Sequence, residues 1–124
     1  MKFIDADAPP ADLTLANDAD LEAASAGLGG IASIALAFPK WTDGRAYSQA
    51  RLLRVRHGFR GEIRATGEVL VDMLPLLART GFDAVALRIG EDRATAERAL
   101  AFFPQGHYQG DLVEPRPLFV RVAA

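Results

Sequence analysis

At 124 residues, half of them hydrophobic and 24% charged, the chain has the size and balance of one globular domain with one core. It has no cysteine, which excludes disulfides, thiolate metal or iron–sulfur ligation, and a cysteine nucleophile. Its net charge of −2 and the lack of any recognised binding motif argue against nucleic acid as a partner.

Residues 1–27 are rich in Ala and Asp and contain Pro9-Pro10. They read as an arm, loosely ordered at its start, with one short helix expected over Asp18 to Ala26. Met1 to Pro10 lacks the basic start and apolar core of a signal peptide. The longest apolar run, near Ile31 to Phe38, is far too short to cross a bilayer. A cytoplasmic protein without membrane contact is the expectation.

Gly27, Gly29 and Gly30 punctuate the chain before the first predicted strand, Ile31 to Phe38. That strand is apolar on both faces, as a central parallel strand is. A helix follows over Asp43 to Arg56, with Thr42 or Asp43 as N-cap and Gly58 as its stop. A second strand is expected over Glu62 to Thr66, and a second helix over Glu68 to Arg79. Leu70, Met73, Leu74 and Leu77 form the apolar stripe of that helix. Pro75 lies inside it, and should kink it or split off its first turn. Phe82 to Arg88 reads as a third strand and Glu91 to Phe103 as a third helix, ended by Pro104.

Three successive strand–helix units with short connections require parallel strands and right-handed crossovers. The expected fold is therefore α/β: three consecutive βα units, half-barrel-like or a small open sheet, in a single domain over 1–124. The arm (1–27) precedes a core (28–104), and a tail (105–124) follows. Leu118 to Val122 in the tail reads as an edge strand or a docking segment. Three strands are few for a free-standing sheet. Either the arm and tail complete it or a second copy does, so a homodimer is among the expectations.

Charge is unevenly placed. Residues 1–30 carry six acids against Lys2, a balance of −5, and residues 40–64 carry seven bases against Asp43 and Glu62, a balance of +5. A local basic zone suits an anionic small molecule or an acidic protein surface. The plainer reading is a solvated arginine face paired with the acidic arm.

In parallel sheets, sites gather at the carboxyl ends of the strands. The loop from Phe38 into the first helix lies there and holds the only Trp and a dense set of polar groups. Lys40, Thr42, Asp43, Gly44, Arg45, Tyr47 and Ser48 from this loop form one half of an expected oxyanion site. Arg64 and Gly67, near the end of the second strand, and Arg88, at the end of the third, form the other. Guanidinium forks match oxyanions, and a helix N-terminus offers unpaired N–H groups. The opposing reading is that Asp43–Arg45 and Glu62–Arg64 are internal ion pairs. Tyr47 reads mainly as packing against Trp41 or Phe38, and Ser48 has no visible base beside it, so no catalytic residue is assigned. Trp41, Arg51 and Arg54 are the expected partner-binding residues.

No cofactor is implied. The glycine pair precedes the strand instead of following it, and there is no GxGxxG and no Walker lysine. His57 and His107 have no second His and no Cys at i+3 or i+4, so no metal is expected.

The run Phe38-Pro39-Lys40-Trp41-Thr42-Asp43-Gly44-Arg45-Ala46-Tyr47-Ser48, followed by Ala50-Arg51-Leu52-Leu53-Arg54, resembles a bacterial family known as domain of unknown function 934. Gly61-Glu62-Ile63-Arg64-Ala65-Thr66-Gly67, Asp72 and Gly81-Phe82-Asp83-Ala84 extend the resemblance, which covers about residues 31 to 88. Members are often encoded beside an assimilatory sulfite or nitrite reductase. The resemblance thus implies a context, sulfate assimilation, and supplies no mechanism. Two positions depart from the family pattern. Val71 and Met73 flank Asp72 where members commonly have Arg and Gln, and Thr80 stands where many have Cys. Two functions follow as expectations. One is an accessory factor in sulfite reduction that docks on the reductase or binds a small oxyanion. The other is a small α/β enzyme or ligand-binding domain with an anion site at the strand ends.

Overall fold

The computed structural model describes residues 1–5 and 7–102. Its strands are β1 (Lys2–Phe3), β2 (Leu13–Leu15), β3 (Ser33–Phe38), β4 (Glu62–Gly67) and β5 (Ala84–Val85). Its helices are α1 (Leu21–Ser25), α2 (Arg45–Val55), α3 (Leu74–Thr80) and α4 (Arg93–Phe102), with one 3-10 turn over Val71–Met73 before α3. All neighbouring strands pair in parallel, in the order β1-β5-β4-β3-β2. The three expected βα units are β3–α2, β4–α3 and β5–α4.

The steps β2 to β3, β3 to β4 and β4 to β5 each move one place in the same direction. Right-handed crossovers therefore put the intervening helices on one face. Strand alternation places Ile34, Leu36, Phe38, Ile63, Ala65 and Val85 on that face, where they form one core with Ala46, Ala50 and Leu53 of α2 and Leu74 and Leu77 of α3. The expected α/β order of three consecutive βα units on parallel strands is thus present, in a five-stranded sheet with β1 and β2 at its edges.

The connection from β1 to β2 returns across the other face. There the Arg64 guanidinium donates to Pro9 O at 2.9 Å, and Asp12 N donates to Ser33 Oγ at 3.0 Å. Residues 1–15 thus supply both edge strands, and the sheet is completed from within the chain. The expected loose arm is structured because Phe3 and Leu13 pack against the core and because β1 and β2 have parallel neighbours to bond. The expected short helix is present as α1, capped by Asp20, which accepts from Glu22 N and Ala23 N. Leu118 to Val122 and the rest of the tail lie outside the described residues.

Pro75 splits the second helix as its geometry requires: the 3-10 turn precedes it, and it stands at the start of α3, where its missing N–H has no use. Gly81 ends α3 at φ 114°. The third strand is only Ala84–Val85; beyond it Ala86 N donates to Ala65 O and Arg88 N to Val69 O, each at 2.9 Å, and the chain turns at Ile89–Gly90. No helix among the described residues is long and apolar enough to cross a membrane.

Candidate functional site

The carboxyl edge of the sheet is built by the ends of β3, β4 and β5. An open cleft of about 460 Å³ lies there, lined by Phe38, Pro39, Gly67, Leu87 and Ile89 and by the Glu68–Arg88 pair. Its wall is stitched by Glu68 N to Phe38 O at 2.8 Å and Arg88 N to Val69 O at 2.9 Å. Gly67 has φ +91°, and a Cβ there would come within 2.5 Å of Phe38 O. This close approach explains the glycine. Its place in the cleft wall is a matter of backbone fit.

Beside the cleft, Asp43 N donates to Lys40 O at 3.0 Å, closing a turn with Trp41 and Thr42 at its tip. Trp41 is 55% exposed and Ile89 is 99% exposed. Two large apolar side chains in water beside an apolar cleft are unusual for a surface that meets only solvent.

The cations expected to converge here are engaged elsewhere. Asp43 holds Arg45 through a fork: Arg45 Nε donates to Oδ1 at 3.1 Å and Nη2 to Oδ2 at 2.8 Å. Asn17 Nδ2 also donates to Asp43 Oδ2, at 2.6 Å. The Arg45 bonds hold the Asp43 carboxyl down at about 2, and the Asp43 carboxylate in turn raises the pKa of Arg45. Arg88 pairs with Glu68 at 3.3 Å. Arg64 is not at the strand end at all. It sits mid-strand opposite Ala35 and Ala84, on the face away from the helices, bonded to Glu62 and Pro9. Burial pushes the Glu62 carboxyl up, but hydrogen bonds from Arg64 and Lys2 outweigh it and leave the group below its ordinary value. Only Lys40 of the four has no carboxylate partner among the described residues.

The α2 residues divide as follows. Neither Thr42 nor Asp43 is the N-cap. Gly44 is, with no side-chain cap bond, and Asp43 Oδ1 accepts from Arg45 N one residue further in. Tyr47 packs edge-on against Phe38, ring centroids 5.1 Å apart, and burial raises its hydroxyl pKa. Ser48 and Arg51 are exposed. Arg54, expected at a partner surface, is turned inward with its side chain 17% exposed. It donates to Gly81 O at 2.8 Å, Phe59 O at 3.0 Å and Gly61 O at 2.7 Å, and meets Asp83 at 3.3 Å. Burial lowers its pKa, with Asp83 acting in the opposite direction. Its fork ties the end of α2 to the starts of β4 and β5.

Two residues that matter here escaped the sequence reading. Ile89 stood inside what read as a strand-to-helix joint, although an isolated Ile between Arg88 and Gly90 was its visible signal. Glu68, the partner of Arg88, read only as the start of a helix. No group of three or more His, Asp or Glu side chains among the described residues could hold a metal ion.

A family model described as "Bacterial protein of unknown function (DUF934)" matches residues 12–119. Comparison with curated proteins and with solved structures gives no match.

Proposed function

The chain belongs to the DUF934 family of bacterial proteins of unknown function, and from that premise we propose that it is an accessory factor in sulfite reduction that docks on the reductase. The reading rests on one observation: at the carboxyl edge of the sheet Ile89 stands exposed in the lining of an open apolar cleft, and Trp41, two residues beyond the cleft's Pro39, is exposed as well. Trp is among the residues enriched as anchors at the centres of interfaces. Lys40 adjoins Trp41 and Arg51 is exposed on α2, so an acidic surface on the partner would complement this region. The resemblance of the Phe38–Arg54 run to proteins encoded beside sulfite or nitrite reductases supplies the partner's identity. In this reading the protein acts as one domain in the cytoplasm.

The alternative of an enzyme or binding domain with an oxyanion site at the strand ends has less support. Arg45 and Arg88 are already matched by carboxylates, and Arg64 faces away. Binding an anion there would first require breaking those pairs.

Purified sulfite reductase from the same host, immobilised and probed by interferometry, tests the docking reading. Trp41→Ala and Ile89→Ser are expected to weaken binding by about 2 kcal/mol each, roughly thirtyfold, with unchanged circular dichroism. No binding by the wild type, or equal binding by both variants, would overturn it.

A further inference from the structure

The outward side of α2 carries more apolar surface than a solvated helix needs. Leu52 is 40% exposed and Val55 65% exposed, and Ser48 and Arg51 beside them are exposed too. At about 100° per residue, Val55 lies between Leu52 and Arg51 around the helix. Residues 17–22 run along the Leu52 flank: Asn17 reaches Asp43 near the start of α2, and Glu22 reaches Arg56 just past its end. Several charges of this region are already paired, Asp43 with Arg45, and Glu22 with Arg56 and His57. Three exposed ones form no ion pair among the described residues: Asp18 and Asp20 on the Leu52 flank, and Arg51 on the other. Asp18 acts on Arg45 only at longer range.

We propose that this side of α2 is a contact between two copies of the chain. A two-fold contact has to be self-complementary. An apolar strip with acids on one flank and a base on the other meets that condition. A two-fold axis alongside α2 lays Leu52 and Val55 of one copy on the same residues of its mate. It also brings Asp18 and Asp20 of each copy opposite Arg51 of the other, so the unmatched charges of both are met at once. The apolar centre is small against the roughly 800 Å² per partner of a standard interface, so a Kd on the order of 10–100 µM is expected. The contact lies about two to three turns along α2 from the carboxyl edge. It shares only Arg51 with the proposed docking surface and does not depend on Trp41 or Ile89, which carry that reading.

Sedimentation velocity of the full chain from about 5 µM to about 1 mM is the test. The expected result is a monomer that passes into a dimer across that range and dissociates as salt rises. Val55→Glu, at an exposed position, should weaken association by about tenfold or more with unchanged circular dichroism. Arg51→Glu should do the same. Asp20→Asn removes the charge while keeping a side-chain cap on α1, and should weaken association by about threefold. Trp41→Ala should leave the dimer intact, whatever it does to docking. A chain that stays monomeric up to about 1 mM overturns the proposal. So does a dimer that survives either Val55→Glu or Arg51→Glu unweakened. Loss of the dimer in Trp41→Ala would move the contact to the carboxyl edge and overturn it as well.

Discussion

Arg54 and Asp43 carry more of the structure than their surface-type chemistry announces. Arg54 satisfies three carbonyls from two separate connections, at Phe59 and Gly61 before β4 and at Gly81 before β5. Truncation to Ala leaves those acceptors without a donor and is expected to destabilise the protein by about 3 kcal/mol. Lys cannot reproduce a planar fork, so Arg54→Lys should recover less than half of that loss in urea unfolding. Full stability of both variants would contradict the assignment. Asp43 joins the loop after β3 to Asn17 after β2 and titrates at about 2 when folded, against an ordinary 3.8. A depressed folded value means that its contribution is complete above the unfolded value and is lost as pH falls from about 4 through about 2. Glu62 and Asp92, also held below their ordinary values, act with the same sign. Asp43→Asn should therefore flatten part of the acid-side decline in urea stability and leave the slope between pH 6 and 8 unchanged. A changed slope near neutrality would place the effect elsewhere. The sequence offered both Asp43–Arg45 and Glu62–Arg64 as ion pairs, since two-residue spacing keeps the side chains in reach in a loop or along one strand face. It could not reveal the role of Arg54, because the carbonyls it binds are brought together only by the fold.

At the scale of elements, the strongest local signals were those fixed by backbone chemistry. Pro75 divides its helix, and Gly81 stops α3 in the left-handed region. Gly67 is another position where no side chain fits. Its φ is +91° and a Cβ would meet Phe38 O at 2.5 Å, backbone that cannot swing aside. Gly67→Ala should cost about 2–4 kcal/mol in thermal or urea unfolding through strain plus displacement of β3 from β4. A loss under about 1 kcal/mol would show that the strand ends are looser than described. The strand Ser33–Phe38, expected to start at Ile31, was legible because its residues are compatible with a buried strand. The helix start was legible only to within two residues, since Asp43 imitates an N-cap while bonding Arg45 from one position too early.

At the scale of the whole molecule, the parallel α/β order of residues 33–102 could be read from alternating strand and helix patterns. The edge strands could not. β1 has two residues and β2 three, too few for any periodicity to register, and their strand character comes from neighbours across the sheet. The same limit explains the misplaced site cations. Sequence order put Arg64 near a strand end, but alternation in β4 sends it to the face crossed by the β1–β2 connection, where Glu62 and Pro9 hold it. What remains at the carboxyl edge is an apolar cleft with Trp41 and Ile89 in water, and this makes docking the better account of the surface. Hydrogen–deuterium exchange of the protein with and without saturating sulfite reductase tests that account most directly. It predicts slowed exchange in the peptides that span Pro39–Asp43 and Leu87–Gly90. Unchanged exchange in both segments, or protection confined to the other face of the sheet, would contradict it.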